Sequence, residues 1–434
     1  MQLKKEFNYI ELLVVSILCF SLLGYLTIRG ITNIGAILLA SIGLYLFAKK
    51  YSLLKKEIGN KNLLIIFLAY CSVFIANLLS QFFKNPFQIS SFDGPVRLLL
   101  GFFIFITFFY FHKHLLRILT FFIPISLLCL FIDLYFFDKA YTVNWGGRYA
   151  SYFVDPNTLG GQCAILSSIC LSLLISSERE NVLIRFLLTI GFLAGFITFF
   201  YAQSRGGWLT FFLLVFLIIF TQHLYLKRIH KQKISLLVFL GLFIFFVCFF
   251  YFNQNYLLGR LSPISGEILL WNHNASNLGE TSVGARLGMW EVSFLLIQES
   301  PFFGFGERSL SESIKLFSNK IPSHLVDPLQ ILIGTGPHSD FLAKMLSSGL
   351  LGAGAYCFTL GVPLFYFVKS FLSQDKNSRS ISILGIIYIC GVLICGLFNE
   401  TLSLKYLCSF YSIVTAALLA IIFSNPIQSH NGPK

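Results

Sequence analysis

A chain made of one apolar run after another, each near the ~20 residues that cross a hydrocarbon core, has few folds open to it, because backbone polar groups in lipid must be satisfied within helices or closed barrels. About twelve such runs are legible, at approximately 9–28, 31–48, 63–80, 97–111, 116–137, 158–176, 183–202, 207–221, 234–252, 340–368, 381–398 and 406–423. Charged residues make up 12% of the 434, whereas soluble domains run at about 25%. That excludes a disordered tail protein and argues against an ordinary soluble enzyme. The expected fold is an all-α polytopic membrane protein in three parts. These are an N-terminal bundle of about nine spans over 1–252, a large loop over 253–337 and a C-terminal bundle of about three spans over 338–434. The stretch Ser16 to Gly24 runs directly into a second span, so it does not read as a cleaved signal peptide.

A net charge of +13 from 32 Lys and Arg does not by itself imply nucleic acid, since membrane proteins concentrate these residues in cytoplasmic loops. With the N-terminus, carrying Lys4 and Lys5, in the cytoplasm, 19 of the 32 fall on that side and both termini face it. Bulk charge then reports orientation, and no nucleic-acid partner is expected. The ten cysteines all lie in the apolar runs without CxxC spacing. They read as small core residues rather than a disulfide framework or a zinc site.

The segment 253–337, about 85 residues long on the outer side, exceeds a plain connection. Thr281 to Glu299 has a helical look, with Leu287, Trp290, Phe294 and Ile297 on one stripe and Pro301 to stop it. A second helix is expected to start at Ser309, with Glu312 completing a capping box and Leu310, Ile314 and Phe317 on its apolar face.

Positive charge is scarce on the outer side, so each arginine there bears weighing. In Gln203-Ser204-Arg205-Gly206-Gly207-Trp208 an arginine opens a span and two glycines permit close backbone approach. A helix N-terminus with an arginine suits a phosphate; span-end arginines also snorkel to lipid headgroups. Arg286, near the start of the expected loop helix, either completes a clamp on a diphosphate or faces solvent. His338 precedes the span at 340, where a helix dipole favours a neutral imidazole able to accept a proton; the alternative is a structural hydrogen bond. Ser300 to Gly306 reads as a helix stop and a flexible turn. No HExxH, outer DxD pair, GxSxG or P-loop occurs. The intramembrane charges Glu11, Asp133 and Lys344 would suit a transporter relay, but they are scattered and no inverted repeat accompanies them.

Taken in order, these motifs resemble the O-antigen ligase and polymerase superfamily of bacterial envelope glycosyltransferases, over about 146 to 352. Gly147-Arg148-Tyr149 with Asp155-Pro156-Asn157 is similar to the family's arginine and Pro-Asn segment, although Asp155 stands where Asn is frequent. Ser204-Arg205-Gly206 resembles its Ser-Arg-Gly motif, and Arg286 to Trp290 with Pro301, Gly304 and Gly306 its arginine-Trp, Pro and Gly-x-Gly run. His338-Ser339, nine residues, Gly349, two residues and Gly352 is similar to the spacing in the ligases. The resemblance implies a GT-C-like, metal-independent, inverting enzyme of the bacterial inner membrane that works at the periplasmic face without a cofactor. Its partners would be an undecaprenyl-diphosphate-linked glycan donor, a lipid A core acceptor and membrane lipids. By the same resemblance Arg205, Arg286 and more weakly Arg148 bind the diphosphate, and His338 deprotonates the acceptor. Ser204, Gly206, Asn157, Ser339 and Trp290 support them. Ligase is the first expectation, then polymerase, protein O-oligosaccharyltransferase and lipid-linked glycan transporter.

Overall fold

The computed structural model describes residues 2–83, 88–137, 143–176, 181–228, 240–241, 244–245, 247–273, 278–306, 321–373 and 376–424. These residues form an all-α membrane protein, with ten helices among them long and apolar enough to cross a bilayer and a shorter apolar stretch at Tyr9–Leu23. The first half of the bundle comprises α1 (Gln2–Leu23), α2 (Ile31–Ile58), α3 (Asn60–Phe83), α4 (Asp93–Tyr110), α5 (Leu115–Ile132), α6 (Pro156–Ser176), α7 (Val182–Tyr201) and α8 (Arg205–Arg228). The loop contributes α9 (Gln254–Leu261), α10 (Pro263–Asn272), α11 (Ser282–Glu299) and α12 (Val326–Thr335), and α13 (Asp340–Leu372), α14 (Lys376–Phe398) and α15 (Lys405–Ser424) complete the bundle. Eleven of the expected spans thus correspond to helices; of the run at 234–252 only part is described, with 247–252 helical, and the helix expected from Ser309 lies outside the described residues.

Helices α6 and α15 are the axis of the bundle, with 83% and 89% of their apolar windows buried. Lipid tails are as apolar as leucine, so helices associate through close contact and interhelical hydrogen bonds. Both are present. Tyr25 stacks on Phe410 with centroids 3.5 Å apart and donates to Gln162 Oε1 at 2.8 Å, and Tyr411 donates to the Thr359 carbonyl at 2.7 Å. A close crossing joins α6 to α8, where a Cβ on Gly207 would lie 2.9 Å from the Gly160 carbonyl carbon. That crossing brings the start of α6 beside the start of α8. Five cysteines are buried, but Cys129, Cys248 and Cys357 are exposed on the bundle surface, which corrects their reading as core residues.

The turn from Ser300 to Gly306 is not a free connection. It inserts into a break in α13, where Gly349 adopts φ 63, ψ −154. Phe305 N–H donates to the Leu346 carbonyl at 2.7 Å, Gly306 N–H to the Ser347 carbonyl at 2.8 Å and Leu350 N–H to the Pro301 carbonyl at 2.8 Å. The turn supplies the bonds that the helix loses at its break, which is how an interrupted span keeps its backbone satisfied. Gly349→Ala places a Cβ 2.3 Å from the Phe302 carbonyl carbon in a conformation closed to other residues, and we expect a loss of about 3 kcal/mol or more. Gly354→Ala in the same helix meets nothing within 4 Å and is expected to be neutral or slightly stabilising. Thermal unfolding of the two purified variants in detergent measures the contrast; equal midpoints would contradict the account of the break.

Candidate active site

A narrow cleft opens at the end of the bundle covered by the loop. It is lined by Asn157 and Thr158 of α6, Ser204, Gly206 and Gly207 around the start of α8, Arg286 of α11, Phe398 at the end of α14, and Asn399 and Thr401 after it. Two helix starts face it, each with its own cap. Asp155 Oδ1 accepts from Asn157 N–H at 2.9 Å and Thr158 N–H at 3.1 Å. Ser204 Oγ accepts from Gly207 N–H at 3.1 Å. The glycines of this motif pack against protein, Gly207 on α6 and Gly206 on the Phe398 side chain.

Arg286 reaches the cleft because α11 begins where the sequence predicts. Thr281 Oγ1 caps it by accepting from Gly284 N–H at 3.1 Å, and it ends at Glu299 before Pro301. Of the expected stripe, Ile297 is buried and Trp290 packs against the buried cluster, but the rest of the buried face differs. Ala285, Met289, Val292 and Leu296 are buried while Phe294 is 57% exposed, because the small residue Gly288 lets α11 close on Pro328 of α12. Burial first, then the charge of Arg205, lowers the Arg286 pKa.

The other arginines are engaged. Arg148 donates from Nη2 to Asn157 Oδ1 at 2.8 Å and from Nε to the Ala202 carbonyl at 3.1 Å. Burial and the nearby Arg260 bring its pKa down to about 10. Arg205 does not snorkel. Its fork donates to both oxygens of Glu267, Nη1 at 3.3 Å and Nη2 at 3.2 Å, and its Nε donates to the Arg260 carbonyl at 3.0 Å. Arg260 in turn donates to the Gln203 carbonyl at 3.0 Å. The cluster therefore holds a fourth arginine and a carboxylate that the motifs do not include.

His338 adjoins the cleft beside Asn399, whose Nδ2 donates to Thr158 Oγ1 at 2.8 Å. Trp290 Nε1 donates to the Pro337 carbonyl at 3.0 Å and braces the turn in front of the histidine. Ser339 caps α13 with its carbonyl, which accepts from Ala343 N–H at 2.8 Å. Asp340, fully buried, accepts from Leu402 N–H at 2.9 Å and from the Thr401 hydroxyl, pinning α13 to the turn after α14. Burial and then the Arg286 charge hold His338 below its usual pKa, with Asn399 and Asp155 opposing them. These causes replace the helix dipole as the source of a neutral imidazole. Asn399 was within reach of sequence reading, since Asn399-Glu400-Thr401 is a polar triplet directly after an apolar run. Arg260 and Glu267 carry no motif.

Residues 190–357 match the O-antigen ligase family model. Over that stretch, which is less than half of its length, the chain is similar to this family. The matched stretch contains Arg205, Arg286, His338, Gly349 and Gly352, whereas Arg148 and Asn157 lie before it. A Haemophilus influenzae protein described as uncharacterized is 26% identical over 368 residues, covering 82% of this chain and 85% of its own length.

Among the described residues, the intramembrane charges Glu11 and Lys344 do not pair with each other. Glu11 lies 3.8 Å from His114, whereas Lys344 is buried one turn after Asp340 at the opposite end. For His338 the signs fix an expectation. Its imidazole titrates below 6.5; Asp155→Asn, which keeps an acceptor for both capped N–H groups, moves it lower still, and Arg286→Gln moves it up. The pH dependence of His338 modification by diethyl pyrocarbonate, with His338→Ala as the blank, measures all three. An upward shift in Asp155→Asn would sink this account.

Proposed function

We propose that this protein is an O-antigen ligase that transfers a glycan from an undecaprenyl-diphosphate carrier to a hydroxyl of the lipid A core at the periplasmic face of the bacterial inner membrane. The observation that carries the reading is a cleft lined by a buried arginine, Arg286, and two capped helix starts, with His338 next to it and within reach of the Arg286 charge. A histidine held neutral beside a cationic pocket suits transfer to a hydroxyl away from a diphosphate leaving group.

In this reading the acceptor oxygen attacks the anomeric carbon while the bond to the diphosphate oxygen breaks and its electron pair stays on the phosphate. His338 takes the hydroxyl proton, and in-line attack inverts the anomeric centre. Arg205, Arg286 and Arg148 stabilise the charge that grows on the leaving group, a role fixed cations fill best in a site closed to bulk water. Asn157, Ser204 and Gly206 shape the phosphate end of the cleft, while Ser339 and Trp290 hold His338 in place. The helices α10 and α11 keep out water, the competing acceptor. No metal is required by this scheme, and the charge assigned to the arginines is the contribution a metal would otherwise make.

Deleting the gene in its host is expected to leave core-lipid A without long glycan while carrier-linked polymer accumulates. Single repeats on capped core would identify a polymerase instead. In purified protein, Arg205→Lys and Arg286→Lys are each expected to lower turnover by about 100-fold or more, because lysine lacks the planar fork. Full activity in both would remove the clamp, and loss of transfer on adding chelator would overturn the metal-free scheme.

A further inference from the structure

Reading Arg205 as a diphosphate ligand leaves its pairing with Glu267 unexplained. The two side chains are 15% and 11% exposed, so this is no loose surface pair. Three of the five N–H donors of Arg205 are taken, two by the carboxylate and one by the Arg260 carbonyl. The same carboxylate accepts from Val283 N–H at 2.7 Å, at the start of α11. The Arg286 side chain, by contrast, lines the cleft and makes no hydrogen bond among the described residues. One arginine stands open while the other is filled by a planar pair of oxygens, which is also how a guanidinium receives a phosphoryl group.

We infer that Glu267 is an internal stand-in for the donor's phosphate oxygens, holding Arg205 in the unliganded protein and leaving when a diphosphate takes its place. The inference rests on the diphosphate reading of Arg205. It makes Glu267 a specificity-determining residue, since a ligand must carry enough negative charge to displace a carboxylate, and neutral glycans and weak anions do not. It also couples the site to the loop. Glu267 ties α10 to the first turn of α11, so a ligand that expels it releases α10 from that tie.

The test uses the full chain in nanodiscs of zwitterionic lipid, with inorganic pyrophosphate as probe. Glu267→Gln keeps the shape and an acceptor for Val283 N–H but removes the competing charge. Pyrophosphate is expected to bind this variant about tenfold tighter than wild type, the gain due when a closed state of the clamp is no longer favoured. Damage to the fold would weaken binding, so a gain in affinity separates a competing role from a structural one. Hydrogen exchange over 263–272 is expected to rise on adding pyrophosphate to wild type and to change little in the variant. Arg286→Ala separates the two readings. Unchanged or weaker binding in Glu267→Gln, with binding still lost in Arg286→Ala, would overturn the role of Glu267 alone. No pyrophosphate binding in either wild type or Glu267→Gln would overturn this inference and the diphosphate reading together.

Discussion

Mutual repulsion among Arg148, Arg205, Arg260 and Arg286 governs how this end of the molecule is built. Burial first, and then the charge of a neighbouring arginine, lowers the pKa of Arg148, Arg260 and Arg286, so each arginine here must be met by an acceptor or left facing a place where an anion can sit. Backbone carbonyls of Ala202, Gln203 and Arg260 meet part of the demand. Asp155 and Glu267 supply the opposing carboxylates named among the causes of these shifts. Asp155 comes with the bundle, as the cap of α6, whereas Glu267 comes from the loop. The loop therefore has to fold over the end of the bundle for the arginines there to be tolerated.

The bundle was legible because lipid leaves the backbone so little choice: apolar runs of spanning length became helices with ends close to those expected. The helix at 282–299 was equally legible, since a threonine cap and a following proline are local signals. Its buried face was legible only in part, at Ile297 and Trp290. The expected stripe counted large apolar residues, whereas α11 packs through Gly284, Ala285, Gly288 and Ser293 and leaves Phe294 outside. Small residues permit close approach, and a hydrophobicity pattern gives them no weight. In the site, Arg205, Arg286 and His338 stood out because motifs surround them. Glu267 lies 62 positions from the arginine it binds and Asn399 lies 241 from Thr158, so those contacts exist only after folding.

Both non-glycine residues with positive φ among those described, Gln203 at 54° and His338 at 50°, stand beside the cleft. Each occupies the position just before a capping serine, Ser204 or Ser339. A left-handed residue there turns the chain sharply into the helix. At Gln203 the turn presents a carbonyl to Arg260, and at His338 it sets the imidazole beside Asn399. Such conformations cost of order 1–3 kcal/mol and persist only where the surroundings hold them. Trp290 on the Pro337 carbonyl and Asp340 on the Leu402 N–H are the bonds that do so around the histidine.

Those bonds also divide the cleft between two structural groups. Arg286 and Trp290 share α11, Trp290 holds the turn before His338, and the chain leaving α11 plugs the break in α13 at Gly349. The arginine and the histidine are thus fastened to each other through one continuous set of contacts. Arg148 and Arg205 belong to the other group, fixed around α6 and α8 by the Gly160 and Gly207 crossing. The cleft follows the seam between them, and Glu267 crosses it, binding Arg205 on one side and Val283 on the other. A ligand that engages Arg205 and Arg286 together would bridge the same seam that Glu267 bridges without it. Occupying the site and setting the relation of the loop to the bundle are then a single event, and the distance between the histidine and the bundle arginines is fixed by what lies between them.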